Sequence, residues 1–491
     1  NQLIYVRHGL PGSGKPAEIQ LFDLGDEKKE EKTVLSGVGA FAITADGKKL
    51  LAPAGGGYVI VDARPGQKAD SRVPLDGMVA LIEPRQEWEQ LFLDTWRIQR
   101  DFFYVANMHG VDWLRVREQY RQMLADCISR EDVAYVIREM ISELNVGHAY
   151  YMSGPTDTGP SVSVGMLGVD FELHEGAYRI GRIHTGGPAD LDARGPLSQP
   201  GVTVKEGDYL LAVNGVPLDV SKEPWAAFQG LADRTAVLTV SDRPLIDEAA
   251  REVVVKLLSS EEGLRHRSWV EANRRYVEEQ TGGQVGYIYV PDTGVGGQNE
   301  LFRQFYGQRD KAGLIIDERW NRGGQIPVRF VELLNRPLLN YWAVREGQDR
   351  CTPGDAHFGP KCMLINFAAG SGGDMFPALF RQLKLGKLIG QRTWGGLVGI
   401  SGNPRLIDGT YVSVPTFGYY EKDGTWGIEG HGVDPDIEVI DDPALMVGGK
   451  DPQLDAAIRH MLAEIDLHAP VPPPRPPDPD RSGMGIREED K

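Results

Sequence analysis

Between about residue 285 and residue 465, apolar runs of strand length alternate with runs of helical spacing. VGYIYV, GLIID, CMLIN and KLIGQ are strand-like, and NELFRQFYG, VRFVELLN and MFPALFRQL are helix-like. Strands separated by helices pair side by side and in parallel, because each helix carries the chain back across the sheet. The alternation therefore predicts a layered α/β domain, which we bound at residues 261–467.

Around that domain the hydrophobic period changes. Residues 1–82 hold short strand-like runs, LIYVRH, EIQLFDL, AFAITADGKKLLAPA and YVIVDA, and the ADGKK turn is a hairpin signal. Their spacing suits propeller blades or a sandwich. The stretch is too short to close a propeller, and the chain opens on Asn1 with a strand already under way, so a fragment of a longer polypeptide is expected. Residues 83–162 change to a helical period. Trp88, Leu91, Thr95, Ile98 and Phe102 recur at three- and four-residue steps, with Phe92, Trp96 and Phe103 beside them. Val133, Val136, Ile137, Met140, Ile141 and Leu144 repeat the pattern after SRED at Ser129, a capping-box signature. The aromatic stripe reads as core. Strand-like runs return over 163–260, where GGPAD (Gly186 to Asp190) and KEGDYLLAVNGVPL (Lys205 to Leu218) resemble a PDZ domain, a peptide-binding module. The tail, 468–491, carries PVPPPRPPDPD and reads as extended and disordered.

The 491 residues suffice for about three domains with buried cores. A formal net charge of -17 argues against nucleic acid or an anionic membrane as partner, since both would be repelled. No apolar run reaches the length of a membrane span. Cys127, Cys351 and Cys362 are too few and too scattered for a disulfide framework or a zinc cluster; they fit a reducing compartment, or simply no reliance on bridges, and a cytoplasmic location is the expectation. Neither a metal nor an organic cofactor is expected.

Ser371 lies in NFAAGSGGD, directly after a strand-like run and before a helix-like one. Gly370 and Gly372 on either side let the backbone turn sharply there, and the Gly372 amide falls near a helix N-terminus, where negative charge is favoured. A nucleophile beside an oxyanion donor is what acyl transfer requires. A serine that merely caps its helix fits the same run. DERWNRGG, Asp317 to Gly324, ends the strand GLIID with paired glycines able to aim a second amide. His148, in ELNVGHAYY, is a candidate base, with His431 as its rival because it stands two residues from Glu429. Glu429, in WGIEGHGVDPDIEV, is a candidate for orienting an imidazole.

Taken in order, ELNVGHAYY, the PDZ-like insert, DERWNRGG, AAGSGGDMFP, GKLIGQRTWGGLVGI and GIEGHGVDPD resemble the tricorn protease family, serine peptidases related to the C-terminal processing peptidases. The resemblance implies a crotonase-like α/β core with an inserted PDZ-like β domain, a helical segment and an N-terminal β-propeller remnant. It implies Ser371 as nucleophile, His148 as general base, Glu429 as the acidic member, and the amides of Gly372 and Gly323 as oxyanion hole. Peptide substrates and a homo-oligomer come with it. Two positions depart from the pattern. Gly147 stands where the family has a serine before the histidine, and Gly396 stands where the processing peptidases carry their lysine base. The expectation is a serine peptidase using histidine; a peptide- or ligand-binding protein on the same fold is the alternative.

Overall fold

The alternating apolar residues near the start of the chain pair as antiparallel sheets. In the structure, a computed structural model, β1 (Gln2–Arg7), β2 (Glu18–Asp23) and β3 (Glu31–Ser36) form one meander. The strands β4 (Ala42–Ile43), β5 (Lys49–Ala54) and β6 (Gly57–Asp62) form a second. Ile19, Leu21, Val34, Leu50 and Val59 are the core of this unit, Asn1–Arg85. Described residues are 2–9, 15–152, 154, 159–187, 194–402, 404–468, 472–479 and 487–490. The anticipated turn at Asp46–Gly47 joins β4 to β5, with Gly47 at φ +69°.

The second unit, Gln86–Lys491, contains everything that follows save the first two residues of α1. Helices α1 (Pro84–Phe102), α2 (Trp113–Met123) and α3 (Arg130–Ser142) pack through Trp88, Leu91, Phe92, Trp96, Ile137 and Met140. Trp96 and Trp113 each donate an indole N–H to the other's carbonyl, at 2.8 and 3.1 Å, so the stripe is core and its buried indole groups are satisfied, while the buried Thr95 hydroxyl has no partner among the described residues. Phe102, at the end of the stripe, is exposed. The capping box forms: the Ser129 hydroxyl accepts the Asp132 N–H, and the Asp132 carboxylate accepts that of Ser129. A short strand β7 (Tyr151–Met152) follows.

Next, β8 (Val169–His174), β9 (Ala177–Ile183), β10 (Tyr209–Val213), β11 (Val216–Pro217), β12 (Thr235–Ser241) and β13 (Arg251–Lys256) form an antiparallel sheet closed over Leu167, Ile180, Phe228 and Leu238. Asn214 and Gly215, at φ +51° and +78°, make its two-residue turn. Part of GGPAD, residues 188–190, lies outside the described residues.

Helix α4 (Glu262–Gln280) leads into β14 (Val285–Tyr289), α5 (Val295–Tyr306), β15 (Gly313–Asp317) and α6 (Pro327–Leu334). A hairpin, β16 (Asn340–Trp342) with β17 (Arg350–Thr352), precedes β18 (Lys361–Ile365), α7 (Gly372–Gln382) and β19 (Gly386–Gly390). The chain continues through β20 (Gly399–Ile400), β21 (Tyr411–Val412), β22 (Pro415–Phe417), β23 (Ile437–Glu438), α8 (Pro443–Val447) and α9 (Pro452–His468). The central sheet runs β14-β15-β18-β19-β23 and is parallel throughout. Every residue of β14, β15 and β18 is buried, which is why these strands read as continuous apolar runs. Leu301, Phe305, Phe330, Phe376 and Phe380 of α5, α6 and α7 pack with Ile288, Ile316 and Met363. Val270, Val277, Leu454 and Met461 of α4 and α9 pack with the alternate strand residues Tyr287, Ile315 and Cys362. Beyond α9, residues 472–479 are exposed and form neither helix nor strand. Among the described residues no helix is long and apolar enough to cross a membrane.

One buried ion cluster sits at the carboxyl end of this sheet. The fully buried Arg319 guanidinium donates to Asp317 at 2.7 Å and, through both terminal nitrogens, to Asp451 at 2.9 and 2.8 Å. The Tyr289 hydroxyl donates to the Arg319 carbonyl at 3.0 Å. Removing one partner of a buried pair strands the other's charge. Arg319→Ala is expected to cost about 3–5 kcal/mol, read by denaturant unfolding; a loss within the ~1 kcal/mol of a surface pair would contradict this.

Candidate active site

Ligand sites in open α/β sheets form beyond the carboxyl ends of the strands. Here the loops after β15 and β18 are tied to each other. Asn366 Oδ1 accepts the Trp320 N–H at 3.0 Å, and the Asn321 carbonyl accepts the Gly370 N–H at 3.1 Å. Ser371 ends the second loop at the N-terminus of α7, with φ at +61°. L-residues avoid that region at a cost of about 1–3 kcal/mol, and surrounding contacts must hold it.

The flanking glycines serve a different purpose from the one expected. Neither Gly370 nor Gly372 has a positive φ; the strained backbone belongs to Ser371 itself. A Cβ on Gly370 would stand 2.5 Å from the Trp394 ring, and one on Gly372 would run into the Thr293 hydroxyl and the Gly324 backbone. The glycines are there for close approach.

Asp374 holds the turn. Its carboxylate accepts the Ser371 N–H at 2.7 Å and, on the other oxygen, the Gly395 N–H at 2.8 Å. Burial raises this carboxyl above its ordinary range, against the Thr393 hydroxyl and the two amides, which favour the charge. The Ser371 turn and the loop carrying Trp394 are thereby joined through one side chain.

Two amides beside the serine, those of Gly372 and Gly324, make no hydrogen bond among the described residues. Gly323 differs from expectation. Its N–H donates to Asn321 Oδ1 at 2.9 Å, so it does not present a free donor. What Gly323 supplies is proximity: a Cβ there would stand 2.7 Å from Ser371 Cβ and 3.1 Å from its Oγ.

His148 and Glu429 meet through the backbone. Glu429 accepts the Gly147 N–H on Oε1 at 2.7 Å, and the Leu397 and Val398 N–H groups on Oε2 at 2.6 and 2.8 Å. The His148 carbonyl accepts the Ser413 hydroxyl at 2.7 Å, and that hydroxyl accepts the Tyr150 N–H at 2.8 Å. His148 is half-buried, has φ at +58°, and its Nδ1 is buried without a partner. Burial pushes its imidazole below the ordinary value, against the opposing charge of Glu429. Among the described residues no hydrogen bond joins His148 to Ser371 or to Glu429. The Trp394 ring is the neighbour common to both regions, 5.5 Å from the imidazole and against Gly370. His431, the rival histidine, is exposed and bonded to Asp434 at 2.8 Å. Among the described residues no group of three His, Cys, Asp or Glu is arranged to hold a metal ion.

Sequence reasoning did not single out Asp374, Trp394, Ser413 or Gly324. Gly147 now has a physical account. A Cβ at this position would stand 2.8 Å from Gly396 Cα and 3.2 Å from Glu429 Oε1. Gly147→Ser, which restores the family's usual residue, is therefore expected to destabilise the protein by roughly 1–3 kcal/mol through overpacking. Thermal unfolding checks it; a neutral or stabilising result would show that the loop has room.

The sequence model of peptidase family S41 matches residues 284–439. The tricorn protease C1 domain matches 84–142, and the tricorn protease PDZ domain matches 165–260. The chain is 36% identical to tricorn protease homolog 1 of Streptomyces coelicolor, over 97% of this chain and 46% of that protein. It is 30% identical to the tricorn protease of Thermoplasma volcanium, over 93% and 44% respectively. The crystal structure of the tricorn protease superposes with a TM-score of 0.85 at 30% identity, covering 95% of this chain and 46% of that one. The chain thus spans about half the length of the relatives it matches. With three domain models in order along it and a shared fold over nearly all of its length, this chain belongs to the tricorn protease family.

Proposed function

We propose that the chain hydrolyses peptide bonds of oligopeptides or unfolded polypeptides through an acyl-enzyme on Ser371. The observation that carries this reading is the serine itself, strained at a helix N-terminus with the unpartnered amides of Gly372 and Gly324 beside it. Strain at a turn of this kind is worth maintaining where it exposes a nucleophile. In the reaction, His148 takes the Ser371 proton as the oxygen attacks the scissile carbonyl. The Gly372 and Gly324 amides hold the oxyanion, while Gly323, its amide engaged by Asn321, brings the backbone close. The imidazolium returns its proton to the leaving amine, and water then resolves the ester by the same steps. Glu429 fixes the histidine loop and supplies negative charge without touching the ring. This chemistry needs no metal and no organic cofactor.

The finer architecture belongs to the same reading. We take residues 261–467 as a crotonase-like core, 163–260 as its PDZ-like insert, 83–162 as the segment delivering His148, and 1–82 as blades of a propeller. A homo-oligomer in a reducing, cytoplasmic setting fits the family and the three free cysteines. A purely ligand-binding protein is disfavoured, since it has no need of a strained serine or of a buried, unpaired imidazole nitrogen.

Ser371→Ala is expected to lower kcat by about 10⁴-fold or more while leaving the circular dichroism spectrum unchanged. Peptide cleavage by that variant at a near wild-type rate would remove Ser371 from the mechanism. The pH profile tests the base. Because burial lowers the His148 pKa, the imidazole is neutral at pH 7, and kcat/KM falls only as pH drops through a midpoint below 6.5. A midpoint at or above 7, or one unmoved in His148→Gln, would point to another group.

A further inference from the structure

A cavity of about 920 Å³ opens between the end of the PDZ-like domain and the α/β core. Its core-side wall is aromatic. Trp269 of α4 meets Tyr289 at 5.0 Å and 87°, and Trp320 at 5.6 Å and 79°, both edge to face. His266 adds a fourth ring, 5.0 Å from Tyr289. Trp320 is held with φ at +59° by the hydrogen bond from its N–H to Asn366, and the buried Arg319 guanidinium stands 5.2 Å from its ring. A bulky side chain in a backbone region it ordinarily avoids, fixed from two sides, marks a position that over-determines where the ring goes.

The cavity's charged groups are largely answered from within. Glu261 accepts from Arg265 at 2.6 Å and from the Gly168 N–H at 2.8 Å, and Arg265 also donates to Asp170 at 2.6 Å. Asp292 accepts the Gly294 and Gly297 N–H groups at 2.8 and 2.9 Å. The exposed Arg322 and Glu262 face each other at 3.5 Å, and the rings are the apolar surface that remains to be covered. Two stretches of its wall run on along the chain into residues that pack against the serine turn. Arg322, on its wall, directly precedes Gly323, which packs on Ser371, and Trp320 stands three residues before it; Asp292 lines it and precedes Thr293, which packs on Gly372.

We propose that this cavity is a specificity subsite for a bulky apolar side chain, aromatic or leucine-like, of a peptide whose scissile carbonyl lies at Ser371. The proposal rests on the peptidase reading and adds its substrate class. A hydrophobic pocket of this kind discriminates by about 10–200-fold between side chains differing by a methylene or more.

The test is a peptide series carrying Phe, Leu, Ala, Asp or Lys at each position in turn, with kcat/KM measured on the full chain. Phe and Leu are expected to exceed Ala by at least ~10-fold at one position. Trp269→Ala should bring that ratio close to one, and Trp269→Phe should largely restore it, which a fold defect would not do. Gly263, on the cavity rim with open space at its Cβ, offers a second variant. Gly263→Trp fills the cavity and should invert the preference toward Ala, through KM rather than kcat. If a fluorophosphonate labels Ser371 in the wild type but no position favours bulky side chains, the subsite is wrong and the peptidase reading stands. If the serine is not labelled at all, the peptidase reading fails first. A preference that survives both Trp269→Ala and Gly263→Trp lies elsewhere in the cleft.

Discussion

Glu429 accepts three backbone N–H groups from two loops far apart in sequence, at Gly147 and at Leu397 and Val398. Hydrogen bonds to a charged acceptor contribute roughly 1.5–3 kcal/mol each, and losing the acceptor would leave three amides unpaired. The helical segment meets the α/β core at this carboxylate as well as at β21 and Ser413, and the loop carrying His148 is tied at both. The imidazole feels Glu429 only as a charge across a gap. Burial outweighs that charge and holds the imidazole below its ordinary pKa. A direct carboxylate–imidazole bond would raise the pKa and also fix the ring. Here the fixing falls to the backbone, through the Ser413 hydroxyl and the Gly147 amide.

The same device recurs at the serine. Asp374 accepts two amides with no cation beside it, whereas Arg319 is matched by Asp317 and Asp451. The contrast accounts for the buried Glu318. Its two carboxyl oxygens have no hydrogen-bond partner, and burial, followed by the charges of Asp374 and Asp317, drives its pKa well above the usual range. Neighbouring buried carboxyls without a cation between them do not both ionise. Of the two, Glu318 is the more disfavoured as an anion, since Asp374 has amides to stabilise its charge and Glu318 has none. The turn bearing Ser371 is thus held by a buried carboxyl supported by amides in place of a cation.

What could be read from the sequence follows from the range of the interactions involved. The parallel strands were legible because burial on both faces leaves unbroken apolar runs, and the Ser129 cap and the Asn214–Gly215 turn because their partners lie within a few residues. Helix α4 was not, since it buries only Leu264, Ser268, Val270 and Val277 among many charges, and its apolar period is faint. At the site, the residue types were legible and their reasons were not. Gly370 and Gly372 suggested a flexible turn, but what requires them is the Trp394 ring and Thr293, both distant in sequence. The engagement of the Gly323 amide did have a local signal. Asn321 bonding the amide two residues on is an Asx turn, and the run Asn-Arg-Gly carries it.

The two departures from the related peptidases have one physical cause. The Trp394 ring lies against the Cα of Gly396, where any side chain would collide with it. Gly396 lies in turn against Gly147, whose Cβ would meet the Gly396 backbone and crowd the Glu429 carboxylate. Ring, glycine, glycine and carboxylate form one stack, with no room for a lysine at 396 or a serine at 147. A chain that places tryptophan at 394 in this way excludes both the lysine base and the bridging hydroxyl. What remains beside that ring is the His148 imidazole, 5.5 Å away, with its Nδ1 buried and unpaired.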